Sequence, residues 1–203
     1  MNKTMRLSLL VAICIATTLF FVGCASAPTA EITATKAAIT AAQTDDVQTY
    51  AADSLKTAED TLAQATSEVQ TQEGKNGLSR DYKAASVLLK QAKDAAVKAQ
   101  ADAVANKAKT KADAEVLIAG LATQLADAKK VLATAPKGKD TKAELEALQN
   151  DLKSADEAAV AASAALAQEK YMDALGQAKA AKEKADGVIE QVTAAKAKMQ
   201  GRK

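Results

Sequence analysis

The sequence predicts an all-α protein, an elongated Ala-rich helical bundle of two three-helix units that share a long central helix. Three observations predict it. About a quarter of the 203 residues are Ala and aromatic residues make up only 2%, so good helix formers abound and strand formers are sparse. Apolar residues recur in alternating steps of three and four, the spacing of one helix face. Only two Pro and eight Gly interrupt the chain. A core of Ala with scattered Leu, Ile and Val buries little area per residue. At roughly 25 cal/mol per Å² it supports closely packed helices and not a broad globular core.

Residues 1–23 read as an export signal. Lys3 and Arg6 give a positive start without an acid, residues 7–22 are an apolar run, and Gly23-Cys24 ends it. A helix over that run reaches about 24 Å, short of the ~30 Å hydrocarbon layer. Phe21-Val22-Gly23-Cys24 resembles the lipobox of bacterial lipoproteins, although Phe21 stands where the pattern usually has Leu. The resemblance implies a cleavage motif at Phe21, Val22 and Gly23 and lipidation at Cys24. Covalent diacylglycerol and an N-acyl lipid on Cys24 would be the attached groups, with no other cofactor. Ordinary signal-peptidase cleavage after Ala25-Ser26-Ala27 competes, but Pro28 would then follow the cut, where it is disfavoured. Ala25, rather than Asp, follows the Cys. By resemblance to enterobacterial sorting, that implies an outer-membrane anchor with the chain facing the periplasm.

This reading resets the chemistry of the mature chain. Cys14 leaves with the signal and Cys24 is acylated, so neither a free thiol nor a disulfide is expected. Without Lys3 and Arg6 the 27 basic residues fall to 25, equal to the 25 acidic ones, and the +2 of the precursor falls to zero. A neutral chain gives no electrostatic case for nucleic acid.

Residues 24–30 form the lipidated N-terminus and linker, 31–105 the first helical unit, 106–113 a helical junction and 114–203 the second unit. Ile32, Thr35, Ile39 and Ala42 open the stripe, and Thr44-Asp45-Asp46 breaks it. A second helix carries Ala51, Leu55, Ala58, Leu62, Ala65 and Val69, and ends in the turn-forming Glu73-Gly74-Lys75-Asn76-Gly77. Ser79 is the expected N-cap of the third, with Asp81 in its first turn. That helix carries Tyr82, Ala85, Leu89, Ala92, Ala96, Ala99 and Ala103. The stripe loses phase around residues 106–113 with no breaker, and resumes at Ala114, Ile118, Leu121, Leu125, Ala128 and Leu132. One helix of about 50 residues, packing in two halves, is the expectation. Ala135-Pro136-Lys137-Gly138 stops it, and Thr141-Lys142-Ala143-Glu144 has capping-box spacing. Leu145, Leu148, Leu152, Ala155, Ala159, Ala162 and Leu166 mark the next helix. Tyr171, Ala174, Ala178, Ala181, Ala185, Val188, Val192, Ala195 and Met199 mark the last.

The two halves match. Tyr82-x-x-Ala85 aligns with Tyr171-x-x-Ala174 at an offset of 89, and Leu55 and Leu62 align with Leu145 and Leu152 at 90. A duplicated hairpin of Ala-rich helices cannot hide its stripe alone, so a third helix is expected on each pair.

Cys24-Ala25-Ser26, then Tyr50-Ala51-Ala52 with Leu55, and Asp81-Tyr82-Lys83-Ala84-Ala85 with Leu88, Ala92 and Ala95 resemble a family of bacterial lipoproteins defined only as a domain of unknown function. The resemblance covers roughly residues 24–105, with Ala52 in place of a Pro. It implies a helical fold and an envelope location, and it implies no activity.

Catalytic and metal chemistry find little purchase. The chain has no His, so Ser-His, Cys-His and imidazole-metal sites cannot be assembled. Gly74 and Gly77 lack the strand and Lys-Ser/Thr of a phosphate loop. Asp45-Asp46 and Asp156-Glu157 lack the alternating ligand spacing of calcium loops. Tyr82 and Tyr171 are either packing anchors or a partner-contact pair. Lys90, Lys93, Lys98, Lys107, Lys109 and Lys111 make residues 81–135 net positive, against a negative 24–80. They read as a solvated helix face or as a docking strip for an acidic partner. Arg202-Lys203 is similar to the end of murein lipoproteins, whose terminal Lys amine is joined to peptidoglycan, which makes Lys203 a candidate attachment point. The expected function is therefore a non-enzymatic scaffold or adaptor, held to the membrane by lipid and presenting helix faces to an envelope protein. The alternative is a peptidoglycan tether.

Overall fold

The computed structural model describes residues 26–136 and 141–200. Those residues form six α-helices and no strand, the all-α class that the composition predicts. They divide into two compact units, with the boundary between Val104 and Ala105.

The first unit contains α1 (Thr29–Ala42), α2 (Asp45–Tyr50), α3 (Ala52–Glu73) and the first part of α4 (Lys83–Ala133). Pro28 precedes α1, and its carbonyl accepts the Ile32 N–H at 3.0 Å. The break expected at Thr44 is itself a helix start. The Thr44 hydroxyl accepts from the Val47 N–H at 3.3 Å, and Asp45 and Asp46 sit in the first turn, where acids complement the helix dipole. Side chains set the direction of the three long elements. The Thr35 hydroxyl donates to the Leu89 carbonyl at 3.3 Å and the Gln100 amide to the Ala41 carbonyl at 3.1 Å, so α1 runs parallel to α4. The Ser54 hydroxyl donates to Asp102 at 2.6 Å, which sets the start of α3 against the later part of this stretch of α4, antiparallel to it.

The core of this unit lies in two clusters. At one end Val69, Tyr82 and Ala85 are buried, with Ala27 and Ile32 packed against them. At the other, Ile39, Ala42, Val47, Leu55, Ala58, Ala96, Ala99 and Ala103 come together. Ser79 does not cap α4. Gly77–Ser79 is one 3₁₀ turn and Arg80 is extended, so the helix cannot start from Ser79. The Asp81 carboxylate takes over and accepts from the Lys83 N–H at 3.0 Å.

The second unit contains the rest of α4, α5 (Lys142–Ala167) and α6 (Tyr171–Gln200). Its core joins Leu121, Leu125 and Ala128 of α4 to Leu148, Leu152, Ala155 and Ala162 of α5 and Ala178, Ala181, Ala185, Val188 and Val192 of α6. The expected capping box at Thr141 does not form. Thr141 has a helical backbone (φ −101°, ψ 0°) in place of the extended one that a cap needs and makes no side-chain cap bond; its hydroxyl donates to the Pro136 carbonyl at 3.2 Å. Between α5 and α6, Lys170 N–H bonds the Ala165 carbonyl and Glu169 N–H the Leu166 carbonyl, both at 3.0 Å. This is a Schellman ending, and Glu169 takes its left-handed position with φ 58°.

The repeat is visible in burial. Tyr82, Ala85, Leu89, Ala92, Ala96, Ala99 and Ala103 are buried, and so are Tyr171, Ala174, Ala178, Ala181, Ala185, Val188 and Val192, each 89 positions later. The two turns differ. Gly74 to Gly77 end α3, whereas Ser163-Ala164-Ala165-Leu166-Ala167 prolong α5 and shorten its connection. Ile32, Leu62, Ile118, Leu132, Leu145, Ala159, Leu166 and Ala195 of the expected stripes are half-buried, and one expected core residue is exposed. Lys196 meets the Thr134 hydroxyl just past the end of α4, and Met199, beyond it, is 57% exposed.

Candidate functional site

Phe21, Val22, Gly23, Cys24 and Lys203 lie outside the described residues. The two tyrosines are inside them, and both are buried. Tyr82 is 6% exposed within the cluster of Val69, Ala85, Ala27 and Ile32. Tyr171 is 7% exposed, with the Lys111 ammonium 5.8 Å from its ring centroid, within the range of a cation–π contact. Their rings are spent on the interiors of their units and offer little surface to a partner.

The lysine strip is largely matched within its own helix. Lys90 pairs with Asp94 at 2.7 Å, Lys109 with Asp113 at 2.6 Å and Lys111 with Glu115 at 3.9 Å. These pairs compensate its positive charge one helical turn away. The hydrogen bond from Lys90 to Asp94, reinforced by the carboxylate charge, holds the Lys90 ammonium above the usual lysine range. Lys98 pairs with Asp102 at 2.5 Å. That bond first, and the Ser54 hydroxyl second, hold the Asp102 carboxyl below the usual carboxylate range. Of the acidic pairs, Asp45-Asp46 occupies the first turn of α2, and Asp156-Glu157 is ion-paired. Asp156 meets Lys129 at 2.9 Å and Glu157 meets Lys153 at 3.9 Å. No group of three or more His, Cys, Asp or Glu that could hold a metal comes together among the described residues. The largest fully buried side chains are Leu89, Val188 and Val192, so the helices meet mostly across Ala.

One arrangement was not legible in the sequence. At the end of the first unit where Ala27 and Ile32 pack, the turn of residues 74–82 is held rigidly. Arg80 donates from Nε to the Lys75 carbonyl at 3.1 Å and from Nη2 to the Glu73 carbonyl at 2.9 Å. Gln72, 6% exposed, donates to Glu68 at 2.6 Å and accepts the Asp81 N–H at 3.1 Å. The Ser79 N–H bonds the Asn76 carbonyl at 2.8 Å. The turn so fixed presents Leu78, which is 89% exposed. A lone Leu between Gly77 and Ser79, off any helical stripe, was the available signal.

No helix among the described residues is long and apolar enough to cross a membrane. The model of a domain of unknown function (DUF4398) matches residues 30–116. That stretch runs from α1 through the first unit and about three turns of helix beyond it. Neither a curated protein nor a solved structure matches the chain.

Proposed function

We propose that this chain is a lipid-anchored envelope lipoprotein, held at the outer membrane through an acylated Cys24, which acts as a structural or scaffold module through its helix faces and without enzymatic chemistry. The observation that carries this reading is a conjunction. A lipobox-like Phe21-Val22-Gly23-Cys24 stands three residues before Ala27, which already packs into a helical unit. The body that follows is a set of Ala-packed helices, many of whose charged groups pair with neighbours. Such a body offers faces and edges for docking. Its exposed large apolar residues, Val97, Val104, Val116 and Val160 among them, are suited to contact with an envelope protein.

The test is fractionation of cells carrying Cys24→Ala. The variant should leave the membrane fraction, and its retention there would refute the anchor. A photocrosslinking residue placed at Val104 or Val160 should then trap one protein partner in the intact envelope. If the protein is instead released from boiled sacculi only by muramidase, the scaffold reading yields to covalent attachment.

A further inference from the structure

We propose that the α3–α4 turn is a second membrane contact, in which Leu78 enters the interfacial layer of a phospholipid surface beside the Cys24 anchor. The inference rests on the anchor reading above. Leu78 is 89% exposed on a turn held by Arg80, Gln72 and the Asn76 carbonyl. Transfer of that side chain out of water is favourable, and a rigid turn loses little freedom when it inserts.

Chain length places the turn at the lipid. Cys24 is three residues from Ala27, a span of at most about 11 Å when extended. Ala27 packs on the cluster of Val69, Tyr82 and Ala85 that flanks this turn. Acyl chains on Cys24 therefore tether this end of the unit to the bilayer. Charge at this end is mixed: Lys75, Arg80 and Lys83 stand with Glu73, Asp81 and, in the first turn of α1, Glu31, and the Lys83 side chain, 91% exposed with its ammonium 4.0 Å from Asp81, can reach lipid phosphates. The opposite end of the unit carries Asp45, Asp46 and Asp53 in the first turns of α2 and α3, which an anionic surface repels. The 22 residues of α3 separate the two ends by about 33 Å.

The test uses the intact acylated protein with Leu78→Cys or Gln48→Cys labelled by an environment-sensitive dye. It is reconstituted in vesicles of phosphatidylethanolamine and phosphatidylglycerol doped with doxyl-labelled phosphatidylcholine. Flotation reads the anchor, and dye emission in the floated fraction reads the turn. The dye at Leu78→Cys should shift to the blue and be quenched, while the dye at Gln48→Cys keeps its emission in water. Protein that floats with an unshifted, unquenched dye at Leu78→Cys refutes the contact and leaves the anchor standing. Protein that fails to float refutes both. A shift in native envelopes but not in pure lipid means a protein covers Leu78, and also overturns the proposal. A dye at Ser79→Cys should be quenched in the same way, and adding Leu78→Asp should abolish that quenching with the circular dichroism unchanged. Persistent quenching would show that Leu78 does not drive the contact.

Discussion

Tyr82 and Tyr171, 89 residues apart, occupy equivalent places: each follows a turn at the start of a helix, with its ring 6% and 7% exposed respectively. One motif, an aromatic ring leading a row of small buried residues, thus opens a helix in each unit. The core around it is so thin in large side chains that the ring supplies an outsized share of the buried area.

Removing either ring should therefore damage its own unit and spare the other. Tyr82→Ala and Tyr171→Ala are each expected to cost about 3 kcal/mol, while the Phe variants at the same positions cost less than about 1 kcal/mol. Urea unfolding gives the totals, and amide hydrogen exchange assigns the loss to residues 26–104 or 105–200. A near-neutral Ala variant would mean that the ring serves a surface role and is not an anchor.

The Ala rows should tolerate nothing larger. Ala92 is fully buried, between helices whose approach Ala permits, whereas Ala101 is exposed on the same helix. Ala92→Leu is expected to cost about 2 kcal/mol or more by overpacking, and Ala101→Leu less than about 0.5 kcal/mol. Equal urea midpoints for the two variants would show that the rows enclose space.

Most of the fold was legible because Ala-rich helices leave few choices. The three-and-four spacing marked seven buried positions from Tyr82 to Ala103 and found every one. What failed was local. Ser79 and Thr141 carry the chemistry of caps, but the extended Arg80 moves the start of α4 to Asp81, and the Pro136 carbonyl engages the Thr141 hydroxyl. Such outcomes depend on a few backbone angles that composition does not set. The break at Thr44-Asp45-Asp46 is real, since α1 ends at Ala42, but the same residues also cap and open α2, because breakers and N-caps share residue types. The lipobox was wholly a sequence observation, whereas Leu78 emerged only from its 89% exposure and the bonds that fix its turn.

Glu169 holds the left-handed position of the α5–α6 turn with φ 58°, a conformation that costs a residue with a Cβ about 1 kcal/mol. The Schellman bonds from Glu169 and Lys170 fix the backbone there and do not involve its side chain. Glu169→Gly should therefore raise stability by about 0.5–1 kcal/mol, read as a higher urea midpoint. An unchanged or lower midpoint would mean that the carboxylate or the entropy of the unfolded chain outweighs the relief of strain.

Asp102 gives the first unit a dependence on acid. The Lys98 ammonium and the Ser54 hydroxyl both favour its ionised form and hold its carboxyl below the ordinary range. A folded-state value below the unfolded one means that the unfolded chain binds its proton first as pH falls. The stabilisation is thus complete above the ordinary Asp value of about 3.9 and is lost as pH falls through the lower value in the folded unit. Asp102→Asn should lower the urea midpoint near neutral pH, and its deficit relative to the native chain should shrink through the acid range. Ser54→Ala should produce a smaller deficit with the same pH trend, because Lys98 remains to favour the charge. A deficit that stays constant from about pH 7 to about pH 2 would mean that the bond from α3 to α4 contributes through geometry alone, with no coupling to the charge of Asp102.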